Sequence, residues 1–214
     1  MLRMFIHQIP SFIPSFFSRF TWSKAADRQI YLTFDDGPTP EITDFVLECL
    51  AEYNAKATFF CIGKNVVDNT AIMKRIQSAG HSIGNHTMNH SNAWKMDYAS
   101  YVIDVNRCEE VFAQHQIKSI GFRPPYGRIT GKMYRSMDKV VLWSVLTGDY
   151  NASLTSSEII AAVLPLFQFL LDTRRHANKY RNKIQKLKDS AEKNLMTVDG
   201  DDYIKYITNV KDQI

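Results

Sequence analysis

The sequence predicts an α/β domain built on a parallel sheet, and three observations carry that reading. From residue 30 onward, short apolar stretches alternate with segments of helical periodicity, the alternation that parallel βαβ units require. Glycine and proline cluster after two of the apolar stretches, in DDGPTP and RPPYG, which gathers the unusual loops at one end of the sheet. The length of 214 residues, with 45% hydrophobic and 22% charged side chains, suits one core that needs no covalent staples.

Residues 1–29 open with MLRMFIHQIPSFIPSFFSRF, an apolar run interrupted by Pro10 and Pro14 and followed by no small-residue cleavage site. A membrane-crossing helix needs about 20 predominantly apolar residues. The expectation is therefore a segment packed on the domain, with an interfacial membrane anchor as the alternative. With no clear cleavable signal peptide, the protein is expected in the cytoplasm or peripherally on the envelope.

The expected strands cover 30–34, 57–62, 81–85, 119–123 and 139–145, each short and apolar. Between the first two, Thr39 can cap a helix that starts at Pro40, with Ile42, Phe45, Cys49, Leu50 and Tyr53 at helical spacing. Ile72 and Ile76 mark a second helix, ended at Gly80, where left-handed backbone carries no steric cost. Residues 98–115 supply a third. Beyond Tyr150 the alternation degrades: 158–171 reads as an apolar helix carrying Pro165, and 173–194 as a long basic one. The basic run from Arg174 to Lys188 reads as a solvated face, or else as a surface for acidic polymers or lipid. The chain thus divides into the N-terminal segment, a core over 30–150, and a divergent, mostly helical part over 151–214.

A net charge of +4, from 26 basic and 22 acidic side chains, is too thin for a dedicated nucleic-acid binder. Cys49, Cys61 and Cys108 show no CxxC spacing, and an odd number excludes a complete disulfide framework. They are expected as small buried hydrophobes.

The chemistry concentrates in three motifs. Asp35 and Asp36 follow directly on the apolar stretch IYLTF, and Gly37 and Pro38 turn the chain. Adjacent carboxylates at a strand end point in different directions and can serve one centre in two roles, although such a turn also occurs as turn chemistry alone. His86 and His90 stand four residues apart, a spacing that on a helical turn brings both imidazoles to one face. Asp36 would complete three protein ligands and leave a position open for water or substrate, the catalytic arrangement for zinc. NHTMNH carries no glutamate after its first histidine, so the base must come from elsewhere, and Asp35 is the available carboxylate. In GFRPPYG, Arg123 can pair with a carboxylate, while Pro124 and Pro125 lack backbone donors and leave the Tyr126 N–H to face a ligand.

Taken together and in this order, TFDDGP, GHSIGNHTMNH and FRPPY resemble the polysaccharide deacetylase family, carbohydrate esterase family 4, whose shared unit is the NodB homology domain. The resemblance extends over about residues 30–150. It implies a distorted, TIM-like (β/α) barrel of about seven strands. It also implies hydrolytic removal of acetyl groups from N-acetylglucosamine polymers such as chitooligosaccharide or peptidoglycan, or from acetylated xylan.

By that resemblance Asp35 is the general base, Asp36, His86 and His90 hold Zn2+ or another divalent ion such as Co2+ or Mn2+, and Thr87 steadies the histidine loop. Arg123 holds Asp35, and the Tyr126 N–H helps bind the oxyanion. VLWSVLTGDYN resembles a fourth motif, with Trp143 ending a strand and Asp149 where the family's acid orients a catalytic histidine. Pro124, Tyr126, Trp143 and Tyr150 are the expected substrate contacts, Tyr150 standing where many members carry tryptophan. The fifth motif departs from the pattern: His176 is the candidate general acid, but it lies in DTRRHANKY, and Leu171 falls where the histidine would stand. Two other readings remain: a metal-retaining, inactive glycan-binding domain, and a metal amidase for a small non-sugar amide.

Overall fold

The computed structural model describes residues 9–10, 12–23, 29–151, 153–161 and 209–213. Its centre is a sheet in the order β4-β3-β2-β1-β5. The strands are β1 (Gln29–Asp35), β2 (Ala57–Cys61), β3 (Ser82–Asn85), β4 (Ser119–Phe122) and β5 (Asn209–Gln213). β1 to β4 run parallel, and β5 pairs antiparallel along β1. The α/β class with a parallel sheet is thus observed.

Helices α2 (Ile42–Glu52), α3 (Gly63–Asp68), α4 (Thr70–Ser78) and α5 (Tyr98–Gln114) fill the connections between the parallel strands. A short α1 (Phe12–Phe16) precedes the sheet and α6 (Gly131–Ser136) follows β4. β2 buries Phe59, Phe60 and Cys61 in succession, as a strand covered on both faces must. On one face Phe34, Phe59, Ile83, Val46, Leu50, Ile76 and Phe112 form one core cluster. A second cluster joins Phe20, Tyr101, Val105, Phe122, Met133 and Leu142. There Phe20 meets the Tyr134 ring edge-on at 5.0 Å between centroids. Among the described residues no helix is long and apolar enough to cross a membrane.

The structure departs from the sequence reading at three places. The helix expected from Pro40 begins at Ile42, because the backbone at Glu41 is left-handed (φ 65). The Thr39 N–H instead donates to the Thr43 hydroxyl oxygen at 2.8 Å. Its fully buried residues are Thr43, Val46 and Leu50, and Phe45 and Leu47 pack partly buried against the same core. The stretch 139–145 forms isolated bridges rather than a strand: Val140 pairs with Phe122 and Val141 with Thr21, and Val145 is a further bridge residue. The carbonyls of Val141 and Leu142 accept from Arg123 and are withdrawn from any ladder. Helix α3 was not expected at all. Of the expected helix over 158–171, residues 158–161 are helical, in a run that starts at 156; 162–171 and the expected helix over 173–194 lie outside the described residues. Cys61 and Cys108 are buried and Cys49 half-buried, all three free.

Gly84 in β3 is a close-approach position. A Cβ there would run into the Phe60 ring and stand 3.2 Å from the Gly121 carbonyl oxygen, while Phe60 in turn carries the Arg123 guanidinium over its ring at 4.0 Å. Gly84→Ala is expected to destabilise the protein by roughly 1–3 kcal/mol through overpacking. A lowered urea midpoint in circular dichroism checks this, and an unchanged midpoint would contradict the packing described.

Candidate metal centre and active site

The alternation of a strand sorts the first motif. Thr33 and Asp35 project on one side of β1 and Phe34 on the other, where its ring stacks on Phe59 at 5.2 Å. Arg123, at the end of β4, is fully buried. Its Nη1 donates to Thr33 Oγ1 at 2.8 Å and to Asp35 Oδ1 at 2.7 Å. Nε donates to the Val141 carbonyl at 3.2 Å and Nη2 to that of Leu142 at 3.0 Å. Burial lowers the Arg123 pKa, and the Asp35 carboxylate works against that shift.

One residue further the chain reverses. Asp36 adopts φ 67, which swings its carboxylate away from that of Asp35 and toward the histidines. Asp36 Oδ1 lies 3.3 Å from His86 Nε2 and 3.1 Å from His90 Nε2. The turn is held from α3, whose Asn65 Nδ2 donates to the Asp36 carbonyl at 2.7 Å. Asn69 Nδ2 does the same for the Pro38 carbonyl at 3.3 Å.

His86 and His90 do not share a helix. β3 ends at Asn85, and the loop behind it contains two left-handed residues, Thr87 (φ 65) and His90 (φ 55). The expected helical turn is absent because Thr87 folds the loop around its own side chain. Its N–H donates to Asn85 Oδ1 at 2.8 Å and its hydroxyl oxygen accepts from the Ser91 N–H at 3.0 Å. The two imidazoles converge all the same, with centroids 5.1 Å apart.

The donor set fits a divalent cation. His86 Nδ1 lies 2.7 Å from the Arg123 carbonyl oxygen, an acceptor only, so in the neutral ring Nδ1 carries the proton and Nε2 presents a lone pair. That lone pair faces Asp36 Oδ1, which is buried and has no hydrogen-bond partner among the described residues. One ligand atom from each of Asp36, His86 and His90 lies within 4.8 Å of the others. Acceptors aimed at one another are stabilised by a cation between them, and the carbonyl behind His86 fixes the ring as outer-shell partners of zinc ligands do.

Where no cation balances it, a proton serves the same end. Burial pulls the His86 pKa down, but the carboxylates of Asp36 and Asp35 outweigh it and raise it. Burial likewise opposes ionisation of Asp36, yet His86 and His90 draw its pKa well below the ordinary carboxylate range.

Tyr126 lies beside this set, its ring 4.7 Å from that of His90, at a left-handed position (φ 61) of the turn after Pro124. Trp143 packs on the same turn: a Cβ at Gly127 would stand 2.6 Å from the indole, so that position requires glycine. Asp149 is buried and accepts from the Thr147 hydroxyl at 2.6 Å. Tyr150 is exposed, and His176 lies outside the described residues.

Sequence reasoning missed the polar supports behind these groups. Asn85 Nδ2 donates to the Val105 carbonyl at 2.9 Å and to Glu109 Oε1 at 2.8 Å. Asp104 on α5 accepts from the Asn89 side chain, and its own carbonyl accepts from the Met88 N–H at 3.1 Å. Asn65 and Asn69 hold the aspartate turn. The legible signal was Asn85 itself, a polar residue that closes an apolar strand just before the histidines.

The polysaccharide deacetylase family model matches residues 23–142. A peptidoglycan-N-acetylglucosamine deacetylase of Bacillus cereus is 40% identical over 130 residues, covering 58% of this chain and 46% of that protein. The chain spans 30% to 61% of the length of the curated peptidoglycan deacetylases it matches. Among solved structures, the Bc1960 peptidoglycan N-acetylglucosamine deacetylase superposes with a TM-score of 0.63 at 33% identity, over 69% of this chain and 71% of that one. A family 4 acetyl xylan esterase from Clostridium thermocellum, in complex with a cobalt ion, gives a TM-score of 0.58 at 31% identity, over 63% and 67%. The family model takes in both the aspartate turn and the histidine loop and spans more than half of the sequence, so the chain belongs to the polysaccharide deacetylase family.

Proposed function

We propose that this protein is a metal-dependent hydrolase that removes N-acetyl groups from an N-acetylglucosamine polymer of chitooligosaccharide or peptidoglycan type. One observation carries the reading: an arginine-held carboxylate, Asp35, stands one residue from an Asp-His-His donor set built for a cation. The substrate class is supported by the Bacillus cereus relative and the Bc1960 structure, both peptidoglycan N-acetylglucosamine deacetylases. Zinc is the proposed ion at Asp36, His86 and His90, in keeping with imidazole and carboxylate donors. The cobalt in the xylan esterase supports a divalent ion more broadly. We further take the sheet to close into a (β/α) barrel of about seven strands.

When bound, the ion supplies Lewis-acid polarisation of the acetyl carbonyl and a lowered pKa for an attacking water. Asp35 accepts the proton of that water, with Arg123 holding the carboxylate in place. The Tyr126 N–H donates to the developing oxyanion, a contact typically worth about 3 kcal/mol. Pro124, Trp143 and Tyr150 wall the acyl group. The leaving amine needs a proton, and His176 is the proposed donor, oriented by Asp149; otherwise Asp35 returns the proton it took.

Purified protein, loaded with zinc or cobalt, is expected to release acetate from chitooligosaccharides and peptidoglycan fragments, and a chelator should stop it. Release from acetylated xylan alone would move the substrate class. Asp35→Asn should keep the metal and slow turnover by about 10² to 10⁴. His86→Ala should lose both metal and activity, and full metal stoichiometry in that variant would refute the ligand assignment.

Asp149 adds a pH signature. Burial raises its pKa from 3.8 to about 8, with the Thr147 hydroxyl and backbone N–H groups working in the opposite direction. The folded state therefore holds a proton that the unfolded state releases between those values. Stability contributed by the neutral acid is full below pH about 4 and lost as pH rises toward about 8. Denaturation midpoints of wild type should fall relative to Asp149→Asn across that window, whereas a constant difference would contradict the raised pKa.

A further inference from the structure

Two of the large exposed side chains, Trp94 at 66% exposure and Tyr126 at 58%, both contact one arginine, Arg128, beside the metal centre. The Arg128 guanidinium carbon lies 4.8 Å from the Trp94 ring centroid and 5.4 Å from that of Tyr126, and Tyr126 in turn contacts His90. A series of contacts, from His90 through the Tyr126 ring and the Arg128 guanidinium, thus leads outward from the metal set to Trp94. The sheet core makes no use of this series.

Trp94 is also held in place. Its indole Nε1–H donates to the Ile129 carbonyl at 3.1 Å, and its backbone N–H donates to Asn92 Oδ1 at 3.0 Å. The loop that bears it is tied to Thr87, inside the histidine motif, through the Ser91 N–H. A large aromatic ring that is fixed at both ends and still mostly exposed is pre-organised for contact, since little freedom remains to be lost on binding. Arg128 occupies one side of the indole, so the ligand's contact is the exposed remainder. A pyranose matches such a surface: its axial C–H groups form an apolar face that buries against the ring, while its hydroxyls stay at the wet rim.

We propose that Trp94, backed by Arg128, is a glycan subsite that stacks the sugar unit next to the one whose acetyl group enters the metal centre. The placement of that neighbour rests on the deacetylase reading, but stacking itself does not. The subsite makes affinity depend on chain length, because only an oligomer reaches both the metal centre and the indole.

The test is a calorimetric titration of metal-loaded Asp35→Asn, in which turnover is suppressed, with N-acetylglucosamine and with its β-1,4-linked tetramer. The tetramer should bind at least about tenfold more tightly than the single sugar, and Trp94→Ala should abolish most of that gain. Trp94→Phe, which keeps a flat ring, should retain most of it, and its loss there would count against stacking. Equal tetramer affinity with and without Trp94, or no gain with length in the parent, would overturn the subsite. If wild type gains affinity with length yet releases no acetate, the deacetylase reading fails and the subsite stands.

Discussion

The Arg123 guanidinium lies fully out of water, and a buried cation persists only where its donors are matched. Here they go to Thr33 and Asp35 on β1 and to the carbonyls of Val141 and Leu142. One side chain from the end of β4 therefore joins β1 to a segment more than a hundred residues away in sequence. The Arg123 carbonyl meanwhile accepts from His86. The base, the metal set and the packing of residues 140–142 all refer to this one position. Phe60 lies flat against the guanidinium, and Gly84 leaves the room for Phe60 to do so.

The parallel strands were legible because each is a short, largely apolar run between turn residues. The stretch 139–145 looked the same by composition. Its carbonyls are claimed by Arg123 for Val141 and Leu142 and by the backbone N–H groups of Phe122 and Thr21 for Lys139 and Val140, partners that no local pattern can reveal. Helix α3 was missed for a related reason: Gly63 opens it and only six residues follow the strand's turn before Asn69, too few for a period to show. The three site motifs were readable as residue types, and the structure gathers Asp35, Asp36, His86, His90, Arg123 and Tyr126.

Reading the histidine spacing as helical was the wrong route to that convergence. In sequence, four residues signal a helical turn; in the fold, two left-handed residues and a Thr87 hydrogen bond achieve the same proximity. Asn85, Asp104 and Asn65 escaped notice because their importance lies in partners remote along the chain: Val105 and Glu109, Asn89, and the Asp36 carbonyl.

Helix α3 has one more property. The Ile62 N–H at its entrance donates to the Gly37 carbonyl, and the N–H groups of Gly63 and Lys64 donate to the Thr87 and Met88 carbonyls. Asn65 adds the Asp36 carbonyl. The first turn of a single short helix thus grips both ligand-bearing loops at once. The aspartate turn and the histidine loop are thus placed relative to one another by hydrogen bonds of the chain itself, none of which involves an ion.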